Sequence, residues 1–195
     1  MAAVPSGLKL TAMKQHFFPV ILGTARAERK SAAVADFVVS ELSRLGLKSE
    51  LIDVAHFDLS FTRQGRDTAD IVDFRSTIDS ADGIVVVSPE YNHSYPGELK
   101  LLLDEGGEEF NRKPVGFVGV SAGGLGGSRV IEALRLVALA FRMVPVADSV
   151  FVSRVSSDID EGGIFSSDRT AGAIEKMARE MAWFADALTP ARDSL

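Results

Sequence analysis

The sequence contains no cysteine. That removes disulfides, thiolate nucleophiles and cysteine-held zinc or iron–sulfur centres from consideration. Histidine is scarce as well. His16, His56 and His93 are the only three and are widely spaced, so no histidine-built metal site is expected. There is no basic excess: the formal net charge of −6 offers no footprint for a nucleic acid or an acidic membrane surface. No apolar run approaches the ~20 residues of a membrane span. The phosphate-binding string G-x-x-x-x-G-K-[ST] is missing, and no G-x-G-x-x-G follows the first apolar strand. The first absence excludes a P-loop triphosphate site and the second weakens a dinucleotide-binding Rossmann reading.

What is present describes an ordinary globular chain. Its 195 residues, 46% hydrophobic and 25% charged, suffice for one sizeable core and are too few for two. Residues 1–15 are mixed and aperiodic and read as an extension; residues 16–195 read as one domain. Lys9 and Lys14 precede the apolar run Phe17–Leu22, and Ala25-Arg26-Ala27 resembles a small-residue cleavage site. The run is shorter than a signal-peptide core and Pro19 interrupts it, so the chain is expected in the cytoplasm.

Along the chain, short β-branched runs alternate with helical spacing. Phe18 to Leu22 reads as a strand, and a helix with Ser31 as N-cap carries Val34, Phe37, Val38, Leu42 and Leu45 up to Gly46. A more alternating strand follows over 47–54. After an irregular stretch that includes Thr62 to Asp70, Ile71 to Ala81 reads as a helix. Ile84 to Ser88 is a strand buried on both faces, followed by a helix from about residue 98. Pro114 to Val120 is the next strand, then a helix marked by Val130, Ile131, Leu134, Val137, Ala138 and Phe141. A last strand is expected near 147–152 and a terminal helix over 174–188. This alternation predicts an α/β fold: a flavodoxin-like three-layer sandwich around a five-stranded parallel sheet in the order 2-1-3-4-5.

In such a sheet the carboxyl ends of strands 1, 3 and 4 meet at the switch point where ligands bind. Those ends are residues 23–31, 88–97 and 121–128, which are also the three most distinctive loops of the sequence. The first ends at a helix N-terminus, with Thr24 and Ser31 as hydroxyl donors and Arg26 as a bidentate clamp, and suits a monophosphate. The second, Pro89-Glu90-Tyr91-Asn92-His93-Ser94-Tyr95-Pro96-Gly97, holds both tyrosines of the chain. Its backbone amides, the Asn92 amide and Tyr91 suit a flat heteroaromatic ring. In the third, Ser121-Ala122-Gly123-Gly124, glycine allows close approach of the backbone to a planar ligand. Gly126-Gly127 reads as a flexible turn, and His93 as a hydrogen-bonded loop residue.

Taken together, Leu22-Gly23-Thr24-Ala25-Arg26 with Ser31, the string P-E-Y-N…P-G-x-L-K with Asp104, and Ser121-Ala122-Gly123-Gly124 resemble the NADPH-dependent FMN reductase family of flavodoxin-like quinone, chromate and azo-compound reductases. The resemblance covers about residues 18–152. It implies that Thr24, Arg26 and Ser31 bind the FMN phosphate and that Pro89, Glu90, Tyr91 and Asn92 line the isoalloxazine. Ser121, Gly123 and Gly124 would close over its other edge. It further implies an NADPH- or NADH-using oxidoreductase, a homodimer or homotetramer, with FMN and not a protein side chain carrying the chemistry. Leu102-Leu103 stands where the family commonly has Asn-Ala, which touches the acceptor side of the pocket. An electron carrier of flavodoxin type is the alternative reading, although carriers favour a hydroxyl-rich phosphate loop without arginine. A response-regulator receiver is disfavoured because strand 3 ends in Val87-Ser88-Pro89 with no phosphorylatable aspartate.

Overall fold

The computed structural model describes residues 15–59 and 68–194. The expected extension therefore lies, Gln15 apart, outside the described residues, as does most of the Thr62–Asp70 stretch. Six strands form one parallel sheet: β1 (Val20–Leu22), β2 (Leu51–Asp53), β3 (Ile84–Pro89), β4 (Pro114–Val120), β5 (Val144–Pro145) and β6 (Val150–Val152). Their order is β2-β1-β3-β4-β5, with β6 also paired to β4. The helices are α1 (Lys30–Arg44), α2 (Ala69–Ser80), α3 (Gly97–Leu103), α4 (Ser128–Ala140) and α5 (Asp168–Arg192). This is the flavodoxin-like sandwich expected from the alternation.

The central strands explain the two-sided core. In β3, Val85 and Val87 face a cluster built with Val34, Val38 and Leu42 of α1 and Ile174, Met177 and Met181 of α5. Ile84 and Val86 face the other way, into Ile71, Phe74 and Ile78 of α2, Leu99 and Leu102 of α3, and Ile131 and Leu134 of α4. Successive strand residues point to opposite faces, so a strand covered on both sides needs an apolar residue at every position. Burying each such side chain stabilises the fold by about 1.5–3 kcal/mol.

The edge strand differs from expectation. Instead of one strand near 147–152, two short pieces pair with β4, Pro145 opposite Val115 and Val150 opposite Val118. Between those pairs the edge takes five steps where β4 takes three; the Val146 amide still bonds to the Val115 carbonyl, so the bulge falls on Ala147–Ser149. Pro145 has no amide to donate. The amides of Ala147 and Asp148 donate instead to the Glu180 carboxylate on α5, at 3.2 and 2.9 Å. A side chain from the terminal helix thus closes a gap that the sheet cannot.

The start of α1 also differs in detail. Arg29, not Ser31, is its N-cap residue, and no side chain caps the helix. Ser31 therefore sits inside the first turn with its hydroxyl not used as a cap. At the other end Leu45 and Gly46 close the helix, with Gly46 at φ 81°.

Candidate active site

The three loops converge as expected. The register places Leu22 beside Val87, Pro89 beside Val120, and Val120 beside Val152. Their following loops enclose a cleft of about 440 Å3 lined by Arg26–Ser31, Pro89–Tyr91, Val120–Ala122, Val155 and Ser156. That volume is within the range of cofactor pockets. Of the residues singled out in the sequence, Arg26, Ser31, Pro89, Glu90, Tyr91 and Ser121 reach the cleft. Thr24, Asn92, Gly123 and Gly124 are not part of its lining.

The first loop is braced from behind. Arg29 donates to the Thr24 carbonyl at 2.7 Å and pairs with Asp53 at the end of β2. Thr24 is fully buried. Its hydroxyl donates to Glu98 Oε1 at 3.0 Å, and the Ala25 amide donates to the same oxygen at 3.0 Å. Since the only Thr24 proton goes to Glu98, the 3.1 Å contact with Tyr91 must have the tyrosine hydroxyl as donor. The Arg26 amide is a second donor to Thr24, at 3.3 Å. Thr24 thus makes one donation and accepts two bonds, which uses the whole capacity of a hydroxyl, so the donor expected for a phosphate is already engaged within the protein. Its place is structural: it ties the first loop, Tyr91 and α3 together.

Two groups of that loop remain available. Ser31 is 3% exposed and its hydroxyl has no hydrogen-bond partner. A buried unpaired hydroxyl is costly and calls for an explanation. Arg26 is exposed, and its guanidinium makes no hydrogen bond or ion pair among the described residues. An orphan hydroxyl, an uncapped helix terminus and a free guanidinium lie side by side at the cleft, the donor set a phosphate requires. The residues present fit the phosphate of FMN.

The second loop owes its shape to left-handed residues the sequence did not announce. Asn92 and His93 have φ of 48° and 68°. Tyr91 and Ser94 close the turn by reciprocal backbone bonds of 2.9 and 3.0 Å. Two central left-handed residues make this the tight turn that asparagine favours. It turns Asn92 and His93 out into solvent and leaves Pro89 to Tyr91 along the cleft. Gly97 has no positive φ and opens α3 directly after Pro96, which occupies the N-cap position. Glu90 is committed elsewhere: its carboxylate accepts from the Arg129 amide and Nη1, both at 3.2 Å, and so caps α4.

The third loop is packed, not loose. Gly126 and Gly127 are buried at φ 61° and 75°. A Cβ on Gly119 of β4 would lie 2.6 and 2.8 Å from their carbonyl oxygens. Ser121 donates to the Gly123 carbonyl at 3.0 Å, and the Val155 amide donates to the Ser121 carbonyl at 3.2 Å. Glu98, Arg29, Val155 and Ser156 are the site residues that sequence reasoning passed over. Only Glu98 carried a signal, an acid inside the first turn of a helix beside a phosphate-type loop.

Comparison with known proteins agrees with this geometry. The family model for NADPH-dependent FMN reductase matches residues 19–157. An FMN-dependent NADPH-azoreductase of Staphylococcus haemolyticus is 27% identical over 158 residues, 76% of this chain and 84% of that one. A 2-hydroxy-1,4-benzoquinone reductase of Burkholderia is 26% identical over 175 residues, 86% of this chain and 95% of its own. Among solved structures, the flavoenzyme NAD(P)H:(acceptor) oxidoreductase FerB of Paracoccus denitrificans superposes with a TM-score of 0.73 at 16% identity, covering 89% of this chain and 98% of that one. The matched span contains the first and second loops whole, the Ser121–Ser128 turn and the Val155–Ser156 wall, so the cleft and the family coincide: the chain belongs to the NADPH-dependent FMN reductase family of oxidoreductases.

Proposed function

We propose that this chain is an FMN-dependent oxidoreductase that takes electrons from NADPH or NADH and passes them to a small acceptor, a quinone, azo compound, chromate or free flavin. The two substrates use one site in turn, which is a ping-pong scheme. The buried, unpartnered hydroxyl of Ser31, beside the free guanidinium of Arg26 at the uncapped start of α1, carries the reading. When bound, FMN supplies the hydride acceptor and the electron donor. Ser31 and Arg26 hold its phosphate, and Thr24 keeps their loop in shape. Pro89, Glu90 and Tyr91 form the ring side of the site, and Asn92, turned out to solvent, stands outside it. The Tyr91 hydroxyl, whose proton is directed to Thr24, offers only lone pairs and therefore suits a ligand N–H or O–H. Ser121, Gly123 and Gly124 stand on the far rim. No acid–base pair is required, since Glu90 is engaged by Arg129.

The reading includes a homodimer or homotetramer. Leu136 and Leu139 of α4 are 71% and 61% exposed, and the groove that Leu136 lines with Phe141 runs to Ser94 and Tyr95 of the second loop. We also place the chain in the cytoplasm. Phe18 and Val20–Leu22 are fully buried and β1 lies inside the sheet between β2 and β3, so signal-type cleavage after Ala27 would remove an interior strand of the fold. No described helix is long and apolar enough to cross a membrane.

The visible spectrum of purified protein tests this. The expected result is a yellow protein, or one that turns yellow with added FMN, whose flavin absorbance bleaches on anaerobic addition of NADPH and returns with a quinone. A protein that takes up no FMN refutes the reading. One that binds FMN but is not bleached by either nucleotide is a carrier.

A further inference from the structure

Four cations besides Arg26 stand around the cleft, and three of them are occupied. Arg29 is held by Asp53 and the Thr24 carbonyl, Lys30 donates to Ser156, and Arg129 is held by Glu90. The fourth is Arg154. Its guanidinium makes no hydrogen bond or ion pair among the described residues. It reaches over the glycine-rich loop, with Nη2 3.7 Å from where a Cβ on Gly124 would sit. The backbone beneath it is unusual: Arg154 has φ 48° and ψ 45°, a left-handed conformation that costs a non-glycine residue energy. That conformation is pinned from several sides. The Arg154 amide donates to the Gly123 carbonyl at 2.9 Å, and the Ser157 amide donates to the Arg154 carbonyl at 2.8 Å. The next residue, Val155, donates to Ser121 and lines the cleft. Strained, fixed backbone thus presents an unused guanidinium over the glycine-rich loop, at the rim beside Val155.

We infer that Arg154 binds the 2′-phosphate of NADPH and sets the preference of this enzyme for NADPH over NADH. The inference rests on the function proposed above. NADPH differs from NADH only by that phosphate, a terminal anion with three free oxygens. Recognising it needs a donor that is both cationic and uncommitted, and a guanidinium matches such an anion with two parallel bonds. Arg26 meets the second condition as well, but it stands beside Ser31 at the start of α1, where the flavin phosphate is held.

The test uses the FMN-loaded protein with Arg154→Gln, Arg154→Lys and, as a control, Arg142→Gln. Arg142 is another exposed arginine with a positive φ, 55°, but lies at the opposite end of the sheet. Two quantities are read: the dissociation constants of 2′,5′-ADP and 5′-AMP, and kcat/KM for NADPH and NADH. For Arg154→Gln the expected loss is about tenfold or more for 2′,5′-ADP and for NADPH, as for one charge-assisted pair, with 5′-AMP and NADH unchanged. Arg154→Lys should retain part of the preference, and Arg142→Gln all of it. Equal losses for both nucleotides, no loss, or a loss of bound FMN instead would each overturn the assignment. A wild-type protein that holds FMN yet oxidises neither nucleotide would refute the function on which this rests, and this inference with it; a wild type that oxidises both, with an unchanged ratio in Arg154→Gln, refutes this one alone.

Discussion

Ser31→Ala has two expected effects of opposite sign, and both follow from one atom. The Ser31 hydroxyl is buried and unpartnered in the protein without ligand. Removing an unsatisfied buried polar group recovers part of its desolvation cost, about 1 kcal/mol out of the usual ~1–3. For a chain of this size that raises the melting temperature of the FMN-free protein by about 2–4 °C. In the function proposed above the same hydroxyl donates to the FMN phosphate, and a hydrogen bond to a charged group contributes about 1.5–3 kcal/mol. FMN affinity should therefore fall about 10- to 100-fold, at 1.4 kcal/mol per factor of ten. Thermal melting without FMN gives the first number and quenching of flavin fluorescence on titration gives the second. A variant that melts lower than wild type without FMN would mean the hydroxyl has a partner. Unchanged affinity would mean the phosphate lies elsewhere. Arg26→Ala serves as the contrast: its exposed guanidinium should contribute less, and its contribution should shrink with added salt.

Glu98→Ala removes the acceptor shared by Thr24 and Ala25, and a loss of about 1–3 kcal/mol in urea unfolding is expected, with weaker FMN binding because the first loop loses its brace; wild-type stability would show that the two contacts contribute nothing. Gly119→Ala forces a methyl against two backbone carbonyls that cannot turn aside, at a cost of about 1–3 kcal/mol; an unchanged melting temperature would mean the glycine turn is loose. Lys113 is the pH prediction. Burial first, and then Arg192, lower its pKa to about 8 in the folded protein, whereas the unfolded chain titrates near 10.4. The unfolded state therefore binds more protons between these values, and this group makes unfolding free energy rise with pH from about 8 to about 10 and adds no slope below 8. Lys113→Met should abolish that rise in pH-dependent urea melts, and persistence of the rise would assign it to another group.

The fold was legible because β-branched runs buried on both faces leave little choice. Strand β4 reads directly from Pro114 to Val120, and helix α5 from the spacing of Ile174, Met177 and Met181. What could not be read depends on long-range pairing. Pro145 hinted at an interrupted edge, but that Glu180, thirty-five positions on, would capture the free amides has no local signature. The convergence of the three loops was legible from topology alone. Which hydroxyl stays free in the first loop was not, because that depends on Glu98 reaching Thr24 from another helix. The residue types placed two donors there; tertiary contacts engaged Thr24 and left Ser31. Gly126-Gly127 departs from the expected flexible turn for a related reason. A glycine pair looks the same in a loose turn and in one pressed against Gly119, and only the partner strand tells them apart.

The distribution of backbone strain separates the two ends of the sheet. Six described non-glycine residues have positive φ, and four of them, Glu28, Asn92, His93 and Arg154, stand in the loops around the cleft. Arg142, at the other end, needs no functional reason: its amide bonds to the Leu139 carbonyl and the next amide to the Ala138 carbonyl, the ordinary way a helix stops. Asparagine tolerates such a conformation well, whereas glutamate, histidine and arginine do so at a cost that glycine would avoid. A loop needing only to reverse direction could use glycine at each of these positions, as the chain does at Gly126 and Gly127. Arg154 is the position where the strain is pinned by neighbouring carbonyls and the guanidinium itself is left without a partner, which is why it, among the cations of the rim, carries the assignment to the nucleotide.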